Sequence, residues 1–173
     1  VAEDQDAKLE GKPIKTTETL DINGTPVPVT SPEKIMYPQK SYTKADVIDY
    51  YIKIAPYILR YLKNRPISMV PYVHGAEGAS FFQKQKPANA PRWLKSVAVK
   101  SSTRTIDYCM INDLRSLIYI ANRGCLEMHC WFSRHPALDK PDCAVFDIDP
   151  SGKTGFNEAR RAALLIKAAL DSY

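Results

Sequence analysis

The sequence predicts an α+β fold, and three observations carry that prediction. Apolar residues recur every three or four positions through "KADVIDYYIKIAPYILRYL", which is the period of a helix. Short runs rich in β-branched and aromatic residues, such as "PISMVPYV", "SVAVKS" and "TRTIDYCMI", have the length and make-up of strands. The two kinds of element do not alternate regularly along the chain, so an all-parallel α/β sheet is not expected.

"TLDINGTPVPV" sets Asn23-Gly24 between two short strands, the strongest short hairpin signal. "SPEKIMYP" opens on a Ser-Pro pair suited to a helix start and stops at Pro38, which predicts one or two helical turns. The next segment is the clearest helix. Thr43 and Asp46 form a capping-box pattern, and Val47, Tyr50, Tyr51, Ile54, Ile58, Tyr61 and Leu62 recur at helical spacing. Its aromatic stripe reads as core, and Pro56 is expected to kink or interrupt it. Strands are expected at "PISMVPYV", "ASFFQKQ", "SVAVKS" and "TRTIDYCMI". "DLRSLIYIANRG" follows as a helix capped by Asn112 or Asp113 and ended by Gly124. "CLEMHCWF" and "DCAVFDID" read as strands, and "NEARRAALLIKAALDSY" as an amphipathic helix begun at Asn157. That helix should return to another strand, so the fold is expected to be incomplete at the C-terminus.

Residues 1–17 are polar and read as a loose arm, leaving 18–173 as one domain. No run of about eighteen apolar residues occurs, so no spanning helix and no membrane partner are expected. The N-terminus lacks the apolar core of a secretory signal. Cys109, Cys125, Cys130 and Cys143 all stand in apolar, strand-like contexts and read as reduced core thiols, which points to the cytoplasm. No C-x-x-C pair exists, and Cys130 faces away from His129 on its strand, which argues against zinc.

The net charge is +5, and its distribution says more than the sum. Residues 31–104 hold thirteen basic and four acidic side chains, whereas residues 105–173 hold eight and nine. A polyanion is the natural partner of the middle segment. Aromatics interleaved there (Tyr37, Tyr42, Phe81, Phe82, Trp93) favour nucleic acid over a lipid surface.

Chemistry concentrates in "CAVFDIDPSG". On a strand, Asp147 and Asp149 share a face about 7 Å apart while Ile148 points the other way. Two carboxylates so placed repel unless a cation lies between them, and a divalent metal prefers such hard oxygens. The competing reading is a solvated strand end supplying an acidic N-cap to the next helix. His129 shares a strand face with Glu127, although a lone histidine in a strand is more often a satisfied core or surface residue. Phe81-Phe82 puts one aromatic on each face, so that one can join the core while the other stays available to stack on a base.

Four segments then align together. "SPEKIMYPQKSYTKADVIDYYIKIAPYILRYLKNRP", "GASFFQKQKP", "LEMHCW" and "CAVFDIDP" occur in this order at spacings that closely resemble the polymerase domain of bacterial DNA ligase D and its stand-alone relatives. The resemblance covers about residues 20–173 and implies the archaeo-eukaryotic primase-like fold, mixed sheets flanked by helices. It implies an N-terminal part for DNA and 5′-phosphate over about 18–104, and the start of a catalytic part over about 105–173. The implied activity is nucleotidyl transfer to DNA ends or gaps by a two-metal mechanism in non-homologous end joining. Asp147 and Asp149 match the family's catalytic, metal-binding aspartates, which hold Mn2+ or Mg2+. His129 matches a histidine that contacts the nucleotide's phosphates, and Phe81 and Phe82 match an aromatic pair that packs on nucleotide and template bases. Lys34 and Lys44 match two positions that grip the 5′-phosphate across a gap. The implied partners are DNA ends, gapped duplex, nucleoside triphosphates, Ku and a DNA ligase, in a cytoplasmic, nucleoid-associated setting.

The histidine needs no titration to donate one hydrogen bond to a phosphate. Two departures stand out. Val70 and Pro71 occupy a strand where the family often has a Lys-Arg pair, and the family's later "TSGGKG"-like segment and third aspartate are not among the 173 residues. Those departures set a second reading beside the first, a non-catalytic module that binds the 5′-phosphate end of DNA.

Overall fold

The computed structural model describes residues 17–172. The expected arm therefore lies outside the described residues except for Thr17. Described residues up to Asp142 form one compact unit, and those from Cys143 onward form a second.

The first unit opens with a hairpin, β1 (Thr17–Ile22) and β2 (Thr25–Thr30), paired antiparallel. Asn23 and Gly24 both take positive φ, 53° and 76°, as a two-residue turn matched to the twist of its strands requires. The stretch expected to be a helical turn instead forms β3 (Ile35–Tyr37), a short 3-10 turn at Pro38–Lys40, and β4 (Tyr42–Thr43). The reason is visible at Met36, which is 1% exposed between two exposed neighbours, Ile35 and Tyr37. Burial there follows the strand period of two, not the helical period.

Helix α1 (Lys44–Leu62) runs 19 residues with its capping box formed. Asp46 accepts from the Thr43 amide at 2.7 Å, and Thr43 Oγ1 accepts from the Asp46 amide at 3.2 Å. Pro56 neither ends nor interrupts it. Both Pro56 and Ile52, whose carbonyl loses its intrahelical donor, lie on the exposed side where water can serve that oxygen. The aromatic stripe is only partly core. Tyr51 is buried, whereas Tyr50, Tyr57 and Tyr61 are exposed.

A four-stranded antiparallel sheet forms the centre, in the order β6 (Ser96–Lys100), β7 (Thr105–Met110), β5 (Pro66–Pro71), β8 (Cys125–Cys130). Strand β5 is covered on both faces, which explains its continuous apolar run. Its two prolines sit at the first position and at a register irregularity, where a missing amide does least harm. Helix α2 (Leu114–Asn122), capped by Asp113 and followed by Gly124 in the left-handed region, lies against α1. Ile48, Tyr51 and Leu62 of α1, Leu117, Ile118 and Ile120 of α2, Ile67 and Met69 of β5, and Val27 and Val29 of β2 close one core. Val70, at 3% exposure, also faces protein, so this strand position serves packing rather than charge. Short strands β9 (Ser133–Arg134) and β10 (Ala137–Pro141) end the unit.

Two further strand expectations change. "ASFFQKQ" forms no strand; Ser80, Gln83 and Gln85 make isolated bridges to Tyr72, Met69 and Tyr108. "DCAVFDID" carries no strand either, because no neighbouring strand pairs with it among the described residues, and apolar composition alone cannot hold an extended chain in a sheet. Cys109 and Cys125 are buried as expected, Cys130 is partly buried, and Cys143 is exposed. In the second unit, α3 (Phe156–Leu170) begins one residue earlier than expected, with Gly155 as N-cap.

Candidate functional site

The β3–β4 hairpin brings the two predicted phosphate lysines to its base. The Lys44 amide donates to the Lys34 carbonyl at 2.7 Å, closing the hairpin where α1 begins. The Lys34 ammonium donates to the Val73 carbonyl, and the Lys44 ammonium donates to the Thr30 carbonyl at 2.6 Å. Lys44 is 7% exposed, and burial, followed by the neighbouring Lys34 charge, lowers its pKa to about 8. Each ammonium has donors beyond the carbonyl it serves. A desolvated cation beside a like charge at a helix N-terminus is a costly arrangement that an anion would relieve. Beyond the lysines, Tyr37, Lys40, Tyr42, Tyr50 and Tyr51 line an open cleft of about 640 Å³.

A second cluster forms on the exposed face of β8. Alternation along the strand puts Glu127 and His129 outward together, as the sequence implied, and a side-chain contact of 3.0 Å joins His129 Nε2 to Glu127 Oε2. The Tyr72 hydroxyl, arriving from the end of β5, donates to the other oxygen of Glu127. These two contacts, Tyr72 first, hold the Glu127 carboxyl below its usual range. The bridges of Ser80 and Gln83 to Tyr72 and Met69 steer the intervening loop, and Phe82 comes to 5.2 Å from the His129 ring, centroid to centroid. Phe82 is 55% exposed while Phe81 is partly buried, so the pair divides between solvent and protein as expected even without a regular strand. Nothing in the sequence marked Tyr72, which reaches Glu127 only through the pairing of β5 with β8.

Asp147 and Asp149 belong to the second unit. Both are exposed and Ile148 between them is partly buried, the alternation of an extended chain. Neither aspartate caps α3, because Gly155 is the N-cap and its amide donates to Glu158 at 2.9 Å. The competing capping role is thereby removed. Among the described residues, no third His, Cys, Asp or Glu joins them in a group able to hold an ion.

Sequence reasoning also passed over an arginine network at the end of the first unit. Arg65, 5% exposed, donates to the Tyr61 and Trp131 carbonyls and to Asp142, with the shortest Arg65–Asp142 contact at 2.6 Å. Arg134 meets the same carboxylate at 2.7 Å and donates to the Arg60 carbonyl at 3.0 Å. Hydrogen bonds from Arg65, then Arg134, hold the Asp142 carboxyl below its usual range. The network ties the C-terminal end of α1 to the strands β9 and β10.

Residues 43–173 match the model of the LigD primase-polymerase domain. The chain is 36% identical over 148 residues to the bifunctional non-homologous end joining protein LigD of Bacillus subtilis, an alignment covering 83% of this chain and 23% of that protein. It is 33% identical over 126 residues to the multifunctional non-homologous end joining protein LigD of Mycolicibacterium smegmatis, covering 72% of this chain and 16% of that protein. Its structure is similar, with a TM-score of 0.60 and 31% identity, to the polymerase domain of Mycobacterium tuberculosis ligase D in complex with DNA, over 63% of this chain and 39% of that one. The chain thus spans less than a quarter of the length of those two LigD proteins.

Proposed function

The chain belongs to the LigD primase-polymerase domain family, and from that premise we propose that it adds nucleotides to DNA ends or gaps in non-homologous end-joining repair. The observation that carries this reading is that the family match over residues 43–173 includes Asp147-Ile148-Asp149, His129, Phe81 and Phe82. Within this reading Lys44, with Lys34, holds the 5′-phosphate at the far side of a gap. Their mutual repulsion and the burial of Lys44 favour a bound anion over a vacant pair. Phe82, exposed beside His129, offers a flat surface for a base, while partly buried Phe81 anchors the loop. His129 contacts the triphosphate of the incoming nucleotide.

Asp147 and Asp149 would hold the divalent metal. Two exposed carboxylates one residue apart, engaged in no capping, offer the hard oxygens that Mg2+ or Mn2+ takes. A divalent cation supplies charge neutralisation at the phosphates and acidifies a bound hydroxyl. The chain's own residues contribute position: a basic surface for the duplex, a lysine pair for the end, and an aromatic platform beside the nucleotide. Ku and a DNA ligase are the partners this role implies.

The test is manganese-dependent addition of a ribonucleotide to gapped DNA carrying a 5′-phosphate, comparing the chain with its Asp147→Ala variant. Addition by the parent and a loss of at least about a hundredfold in the variant is the expected result, as for removal of a group that stabilises charge in the transition state. Equal addition by both would dismiss Asp147 as a catalytic residue. One observation favours a second reading: buried Lys44 and its neighbour Lys34 offer an anion grip that needs no metal. That reading is a non-catalytic module that grips the 5′-phosphate end. DNA binding with a 5′-phosphate preference but no addition by the parent chain would select it.

A further inference from the structure

The contact between Glu127 and His129 leaves the proposed phosphate ligand in a defined chemical state. A carboxylate has no proton to give, so the ring nitrogen 3.0 Å from Glu127 must carry the hydrogen of that contact. The same holds whichever ring nitrogen faces the glutamate. A neutral imidazole has only one N–H. If that hydrogen is committed to Glu127, the other ring nitrogen carries only a lone pair, which repels phosphate oxygens. Only the imidazolium has a second N–H to offer a phosphate while the contact with Glu127 is kept.

We propose that Glu127 is a positioning residue that makes His129 a proton-dependent phosphate ligand, so that the nucleoside triphosphate binds together with a proton taken from solvent. This rests on the reading of His129 as a triphosphate contact, and it replaces the expectation that the histidine acts without titrating. Glu127 acts in two ways. Its carboxylate orients the ring, and it is the counter-ion that keeps the imidazolium once formed. Tyr72 holds the second carboxylate oxygen, which fixes Glu127 in turn. Glu127 on its own strand is the charged group in contact with His129, and Tyr72 from the end of β5 stands behind that carboxylate. The loop supplies Phe82, which does not titrate and covers one side of the ring. Ser68 pairs with His129 from β5 and carries no charge.

Glu127→Gln is the informative variant, since it keeps shape and polarity. Its amide can donate to the ring, which frees a neutral imidazole to carry its hydrogen on the other nitrogen. Calorimetry of a fully ionised, non-hydrolysable ribonucleoside triphosphate, in buffers of different ionisation heat, reads the proton directly. The parent protein is expected to take up as much as about one proton per ligand, and to lose affinity by up to about tenfold per pH unit on the alkaline side. Glu127→Gln is expected to bind with little proton uptake and a flat pH profile above about pH 7, where the triphosphate itself stays ionised. Nitrogen-resolved NMR of the bound parent protein should show both His129 nitrogens protonated. Proton uptake unchanged in Glu127→Gln overturns the proposal. A parent protein that binds through His129 with no proton uptake, as judged by loss of binding in His129→Ala, overturns it alone. Full binding by His129→Ala overturns it together with the triphosphate reading on which it rests.

Discussion

Lys44 shows how one buried side chain can report on a ligand. Folding lowers its pKa from the ordinary lysine range to about 8, so the unfolded chain holds the proton more tightly than the folded one. The buried ammonium therefore costs stability below about pH 8, and that cost is relieved as pH rises from there toward lysine's usual range. A bound phosphate would restore the proton. The preference for 5′-phosphate over 5′-hydroxyl gapped DNA is expected to shrink as pH rises through about 8, checked by paired affinity titrations one unit either side. A constant preference across that range would remove Lys44 from the phosphate grip. Lys44 could be named from its place in a motif, but its burial and its contact with Thr30 came only from the packing of the hairpin on α1.

At the scale of elements, the capping box of α1, the hairpin turn at Asn23-Gly24 and the stop at Gly124 were legible because each rests on local backbone chemistry. The segments that departed were those whose state depends on a neighbour. "IMY" became a strand because "YT" lies beside it, and "CAVFDID" did not because nothing paired with it among the described residues. Contacts between elements follow the same rule. Asn122, the last residue of α2, accepts from the Thr30 amide at 2.9 Å and donates to the Pro28 carbonyl at 3.0 Å, which fastens β2 to the helix. Asn122→Ala is expected to destabilise the fold by about 1–2 kcal/mol in urea unfolding, since it strands a partly buried backbone donor. A change below about 0.3 kcal/mol would mean that water replaces the side chain without cost.

Over the whole chain, charge distribution is the property that sequence reports best. The thirteen basic and four acidic residues of the segment 31–104 need no fold to be counted, and they point to a phosphate backbone. Affinity for gapped DNA is expected to fall steeply with salt, by about a thousandfold between about 50 and 200 mM if some six phosphates are contacted. A flat profile in a binding titration would count against an electrostatic DNA surface. By itself, then, the sequence determined the mixed α+β class, the family, the capped helices, the basic segment and the identity of the candidate side chains, because these depend on residue type and short spacing. Tertiary structure decided which of those side chains meet. It alone brought Tyr72 to Glu127, put Phe82 near the His129 ring, and closed Lys34 onto Lys44 at the base of the hairpin. The physical reason is that a strand pairing or a side-chain contact is a property of two distant segments at once, and no local pattern in either one encodes its partner.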